Sequence, residues 1–182
     1  YLILYLNFAV VNADLGNYRS ALDAHCNTRF NSFCDTYASL LSSGFKDELN
    51  RKNGCVEQLD YIYNECDRVG LKIYLFIDEY DHFTNHILSD AARLDEYKGE
   101  THGTGYLRTF FDTIKSGTYS SIERVFITGV SPVTLDDLTS GFNIGTNYSL
   151  ANGFNEMVGF TEEEVREMLT YYGQHYEFNH TI

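Results

Sequence analysis

The sequence predicts an α/β protein built on a parallel sheet, and three observations carry that expectation. Apolar runs of strand length occur at Tyr1–Val11, Leu71–Ile77 and Arg124–Thr128. Between them lie stretches whose apolar residues recur every three or four positions, the period of an amphipathic helix. The second and third runs end abruptly in polar residues, Asp78-Glu79 and Thr128. Continuous apolar runs suit strands buried on both faces, and strand–helix alternation implies right-handed crossovers with helices on both faces. Ligands of such sheets bind beyond the carboxyl ends of the strands. The residues to weigh for function are therefore those just after Ile77 and Thr128.

The elements follow in order. The run YLILYLNFAVV is the first strand, and Asn12, Asp14 and Gly16 make a turn. Tyr18, Leu22, Cys26, Phe30, Phe33, Tyr37 and Leu41 line one face of a long helix, broken by Ser42-Ser43-Gly44. After Asn53-Gly54, Val56, Leu59, Ile62, Tyr63 and Cys66 mark a second helix. Arg68 lies in its last turn, and Gly70 stands where a left-handed cap belongs. The run LKIYLFI is the second strand. A polar stretch, glycine-rich over Gly99–Gly105, precedes a helix carried by Leu107, Phe110, Phe111 and Ile114 and closed by Gly117.

RVFIT is the third strand. Ser131 before Pro132 caps a short turn through Leu138, a glycine-containing loop spans Ser140–Thr146, and Tyr148–Leu150 is a last short strand. The final helix has the clearest start. Thr161 is its N-cap, Glu164 completes a capping box, and Phe160 and Val165 stand at staple positions. Gly173 ends it at about Tyr172.

Composition narrows the function classes. With 43% hydrophobic and 21% charged residues and one proline, the chain is of ordinary globular type. A net charge of −13 repels a phosphate backbone, so nucleic acid is not an expected partner of this segment. The apolar start, about 11 residues long, falls short of the roughly 20 needed to span a membrane, and it has no basic flank. A chain that opens without methionine inside an apolar strand is expected to continue upstream. Cys26, Cys34, Cys55 and Cys66 form no CxxC pair and fit no zinc spacing, so reduced thiols in a cytoplasmic protein are the simplest account. Fifteen tyrosines and thirteen phenylalanines fall mostly on the apolar stripes and read as core.

An apolar strand ending in Asp-Glu has the order of a Walker B element. Asp78, the first residue beyond the core, can hold magnesium through water, because that ion takes oxygen ligands and keeps part of its hydration. Glu79 can polarise a water for attack on a terminal phosphate. A glycosidase pair is disfavoured, since neighbouring strand residues point to opposite faces. A strand that merely surfaces into an acidic loop is the bland alternative. Thr128 stands where a polar residue can feel a terminal phosphate, with Ser131 as the second candidate; satisfaction by the local backbone is the bland reading of Thr128. His82 and His86 have helical metal spacing, but no glutamate follows His82, so surface histidines are the simpler reading. Arg166 reads as a helix-surface charge ahead of a phosphate contact.

The phrases KIYLFIDEYDHF, IERVFITGVSPVTLDDLTSGFNIGTN and FNEMVGFTEEEVREML together resemble the AAA-ATPase-like family of P-loop proteins. The resemblance covers about residues 1–172. It implies a three-layer P-loop NTPase core that is incomplete here, its first strand and P-loop helix missing, with 1–182 as a partial domain and about 161–182 as the start of a helical lid. It further implies ATP and Mg2+ as ligands, Asp78 (metal) and Glu79 (catalysis) as the Walker B pair, and Thr128 in the sensor position. Family members often carry a nuclease-like domain of the PD-(D/E)XK type, and homo-oligomers are a further expectation. No G-x-x-x-x-G-K-[ST] occurs in the chain, and neither Gly99–Gly105 nor Gly141–Gly145 is followed by the required lysine. The expectation is therefore an ATPase in the complete protein and no hydrolysis by this segment alone. The alternative is a non-catalytic regulatory or interaction module that keeps the NTPase fold.

Overall fold

The computed structural model describes residues 1–11, 18–82, 105–130, 145–149, 151–154 and 159–175. The chain divides into two compact units, Tyr1–Ile144 and Gly145–Ile182. The first contains strand β1 (Leu2–Asn7), helices α1 (Tyr18–Thr36), α2 (Phe45–Leu49) and α3 (Gly54–Arg68), strand β2 (Ile73–Asp78), helix α4 (Tyr106–Gly117) and strand β3 (Ile122–Ile127). The second contains helix α5 (Glu162–His175).

The three strands form one parallel sheet in the order β1-β2-β3. β1 and β2 are in continuous register from Leu2↔Ile73 to Asn7↔Asp78, so the polar residues ending both strands sit side by side. The β2–β3 register shifts between Ile73 and Tyr74 and then runs to Ile77↔Ile127. Tyr37 donates no backbone bond to the sheet, yet its hydroxyl accepts the Ile3 N–H at 2.9 Å and so satisfies one group on the outer edge of β1.

One core holds this unit together. Leu2, Leu4 and Leu6 of β1, Ile73, Leu75 and Ile77 of β2, and Ile122 of β3 pack with the stripes of α1, α3 and α4. Most stripe residues expected from periodicity are buried: Tyr18, Leu22, Cys26, Phe30 and Phe33 on α1, Leu59, Ile62, Tyr63 and Cys66 on α3, and Leu107, Phe110, Phe111 and Ile114 on α4, whereas Val56 at the start of the α3 stripe is half-buried. The expectation of helices on both faces is not met among the described residues. Ile3, Tyr5 and Phe126, on the opposite face, remain 45–47% exposed. The run in β1 is leucine at alternate positions with isoleucine and tyrosine between. That period-2 pattern is hidden when every residue counts as apolar.

Local signals explain the boundaries. Gly70 adopts φ +73° and Leu71 N–H bonds back to the Cys66 carbonyl at 2.8 Å, the C-terminal closure expected of α3. Asp23 of α1 accepts the Cys55 N–H at 2.7 Å and the Tyr106 hydroxyl at 2.5 Å, tying the starts of α3 and α4 to α1. Helix α1 ends five residues earlier than its stripe, at Thr36. Tyr37 and Leu41 still pack against the core from the turns that follow, so a helical spacing of apolar residues persists there without a helix. The four cysteines are free and buried. Burial pushes the Cys34 thiol up to about 11 and the Cys66 thiol up to about 12, so both are protonated core side chains at neutral pH.

In the second unit the capping box at Thr161 is formed. Glu164 N–H donates to Thr161 Oγ1 at 3.3 Å, and Thr161 N–H donates to Glu164 Oε2 at 2.8 Å. Helix α5 continues through Gly173 to His175, beyond the expected stop, because a single glycine lowers helix stability without breaking the hydrogen-bond ladder. Tyr148 and Ser149 lie in coil and turn, so the last short strand does not form at these positions. Arg166 pairs with Glu162 one turn away on the same helix, at 2.6 Å. No described helix is long and apolar enough to cross a membrane.

Candidate functional site

The carboxyl ends of all three strands converge on Asp78. It is the last residue of β2 and stands half-buried. From one side, Thr128 Oγ1 donates to Asp78 Oδ1 at 2.5 Å. From the other, the Tyr5 hydroxyl donates to Asp78 Oδ2 at 3.0 Å and Asn7 Nδ2 donates to the same oxygen at 3.4 Å. Asn7 and Tyr5 also bond each other at 3.3 Å. The Thr128 hydroxyl bond, ahead of the opposing cost of burial and the bonds from Tyr5 and the Glu79 backbone, holds the Asp78 carboxyl below its ordinary pKa. The chain thus keeps an anion at the mouth of the sheet.

Backbone bonds extend the β2–β3 pairing past the strands. Thr128 N–H donates to the Ile77 carbonyl at 2.9 Å, and Tyr80 N–H donates to the Thr128 carbonyl at 3.1 Å. Between them Glu79 takes φ +54°, the left-handed region, as the one described non-glycine residue to do so. A side chain with a Cβ is strained there by about 1–2 kcal/mol. The turn breaks the strand alternation that would otherwise set Glu79 opposite Asp78, and it leaves Glu79 half-buried at the strand exit.

The structure brings three of the four expected site residues, Asp78, Glu79 and Thr128, to one strand-exit cluster. Ser131 lies outside the described residues, as do His86 and the glycine clusters other than Gly105 and Gly145. No group of three or more metal-ligating side chains occurs among the described residues, so an ion here would complete its shell with water or a ligand. Tyr5 and Asn7 were not anticipated. Asn7 closes β1 as Asp78 closes β2, but the apolar run continues past it to Val11, so the strand-end rule applied to that run points to Asn12 and passes Asn7 over.

These features define an α/β protein with a carboxylate-centred cluster at the carboxyl ends of a parallel sheet. The chain belongs to the AAA-ATPase-like family, described as predicted AAA-ATPase, which matches residues 1–139. That span holds β1, β2, β3 and the whole cluster, and it stops short of the second unit. No curated protein and no solved structure matches the chain.

Proposed function

We propose that this chain supplies the Walker B and sensor strands of a P-loop ATPase core, with ATP and Mg2+ as its ligands. The observation that carries the reading is the convergence of three strand ends on one ionised carboxylate, with a second carboxylate next to it in a strained turn. The donor set fits magnesium: Asp78 presents oxygen, its charge is maintained by hydrogen bonds, and its partial exposure leaves room for water between ion and carboxylate. When bound, the ion neutralises charge on the phosphates.

The chain's own residues then have distinct tasks. Asp78 holds the hydrated ion. Glu79 accepts a proton from the water it orients. Tyr5 and Asn7 fix the rotamer of Asp78 through Oδ2. Thr128 has a single hydroxyl proton, and that proton is given to Asp78 Oδ1. A phosphate oxygen that captured the proton would release Asp78 from this bond, so phosphate sensing and the hydrogen bonding of the Walker B aspartate are linked through one hydrogen. Ser131 is the second sensor candidate, and α5 begins a helical lid. The reading requires a phosphate-gripping loop with its lysine, which these 182 residues do not hold, and it includes self-association or a joined nuclease-like domain as partners.

The test is made in the complete protein. Glu79→Gln abolishes MgATP turnover and retains MgATP binding; unchanged turnover overturns the role of Glu79. The second reading is a non-catalytic module that keeps the fold, which a complete protein without the P-loop lysine favours. A complete protein that binds no MgATP decides for that module.

A further inference from the structure

Asp81, three residues beyond Asp78, has a fully buried carboxyl group. Both of its oxygens lie 3.1 Å from the Val130 N–H, two residues beyond Thr128. A two-oxygen acceptor facing one N–H keeps the bond through small rotations of the side chain. The residue between, Gly129, is packed so closely that an added Cβ would lie 2.4 Å from the Tyr80 ring and 2.5 Å from Asp81 Oδ1. Together with the Tyr80–Thr128 backbone bond, this stitches the exit of β2 to the exit of β3 along its length.

We propose that Asp81 is a positioning residue that holds Val130, and through the short Gly129 link keeps the Thr128 hydroxyl on Asp78. Thr128 lies beyond the last strand pair, Ile77↔Ile127, so the regular ladder alone does not set its side chain. The two backbone bonds at Thr128 fix its N–H and carbonyl, and the Asp81–Val130 bond fixes the direction in which the chain leaves it. A hydroxyl bond is sensitive to small changes of angle and distance, so loosening the exit weakens it first. Gly129 serves the same end, since any side chain there would push Tyr80 and Asp81 away from the β3 exit. The kinetic consequence of this inference rests on the ATPase reading above; the positional one does not.

The experiment uses the complete protein with isotope-labelled threonine methyls. Asp78→Ala, which removes the acceptor, marks the Thr128 methyl resonance of a released hydroxyl. In Asp81→Ala the Thr128 resonance moves toward that position, and in Asp81→Asn, which keeps one acceptor oxygen, it returns most of the way to wild type. For MgATP hydrolysis, kcat of Asp81→Ala falls by about tenfold or more while KM stays within about twofold. A purely structural Asp81 would lower the melting temperature and leave the Thr128 resonance in place. A wild-type Thr128 resonance in folded Asp81→Ala overturns the proposal. If Asp81→Ala does not fold, Gly129→Ala decides: the same displacement supports the clamp, and an unmoved Thr128 overturns it. A displaced Thr128 in a protein whose wild type hydrolyses no ATP supports the clamp and overturns the ATPase reading instead.

Discussion

Thr128 and Asp78, 50 residues apart in the chain, are joined by a hydroxyl-to-carboxylate bond of 2.5 Å across the ends of two adjacent parallel strands. The bond ties the two polar strand ends into one unit and lowers the pKa of the Asp78 carboxyl. It also yields the first prediction.

Thr128→Val removes the donor at nearly constant volume and raises the Asp78 pKa toward its ordinary 3.8. Because the folded-state value lies below the unfolded one, the stabilisation from this group is complete above pH 3.8 and is lost as pH falls through the lowered value. The stability difference between wild type and variant is therefore greatest near neutrality and shrinks on acidification. Carboxyl 13C titration of Asp78 together with urea unfolding at several pH values checks both parts. An Asp78 midpoint identical in the two proteins sinks the assignment.

Glu79→Gly relieves the left-handed strain, worth about 1–2 kcal/mol, against a glycine entropy cost of about 0.5–1 kcal/mol. The net expectation is a protein about 0.5–1 kcal/mol more stable and, on the proposed ATPase reading, without MgATP turnover, whereas Glu79→Gln keeps the strain and the wild-type stability. Equal unfolding midpoints for Gly and Gln variants contradict it.

Leu75 is fully buried in the central strand β2 between the pairings to β1 and β3. Leu75→Ala is expected to cost about 3 kcal/mol through lost burial and a residual cavity. Denaturant unfolding with an unchanged m-value reads it directly; a loss below about 1 kcal/mol means the core closes around the gap.

Thr161→Ala removes the hydroxyl half of the capping box and lowers the local stability of α5 by about 1 kcal/mol. Amide exchange in the first turns of α5 speeds accordingly, while exchange in β2 is unchanged. Uniform acceleration across the chain would show that the cap acts globally.

How much of this was readable in advance depends on the range of the interaction. The stripes of α1, α3 and α4, the Gly70 cap, the Thr161–Glu164 box and the Asp-Glu exit of β2 are set by residues within a few positions of one another, and each was legible. The misses have equally local causes. Gly173 is a weak stop with no following proline, Tyr148–Leu150 is too short for a strand signal to mean much, and α2 spans only five residues. Counting every apolar residue alike in β1 hid the leucine alternation that marks its covered face.

By itself the order of residues determined the alternation of strand and helix, the caps, and the placing of Asp78 and Thr128 at strand ends. It did not determine which side chains meet there. Asn7 stands beside Asp78 because β1 and β2 pair in register from Leu2↔Ile73 to Asn7↔Asp78. Tyr5 reaches the same carboxylate from the uncovered face, and Asp81 reaches Val130 between the exits of β2 and β3, where Gly129 packs closely on Tyr80 and Asp81. Register and the covered face are chosen by packing the whole core at once, since a slip of one residue would turn every side chain of a strand to the other face. That choice is collective, and it is what turns three separate strand ends into one site.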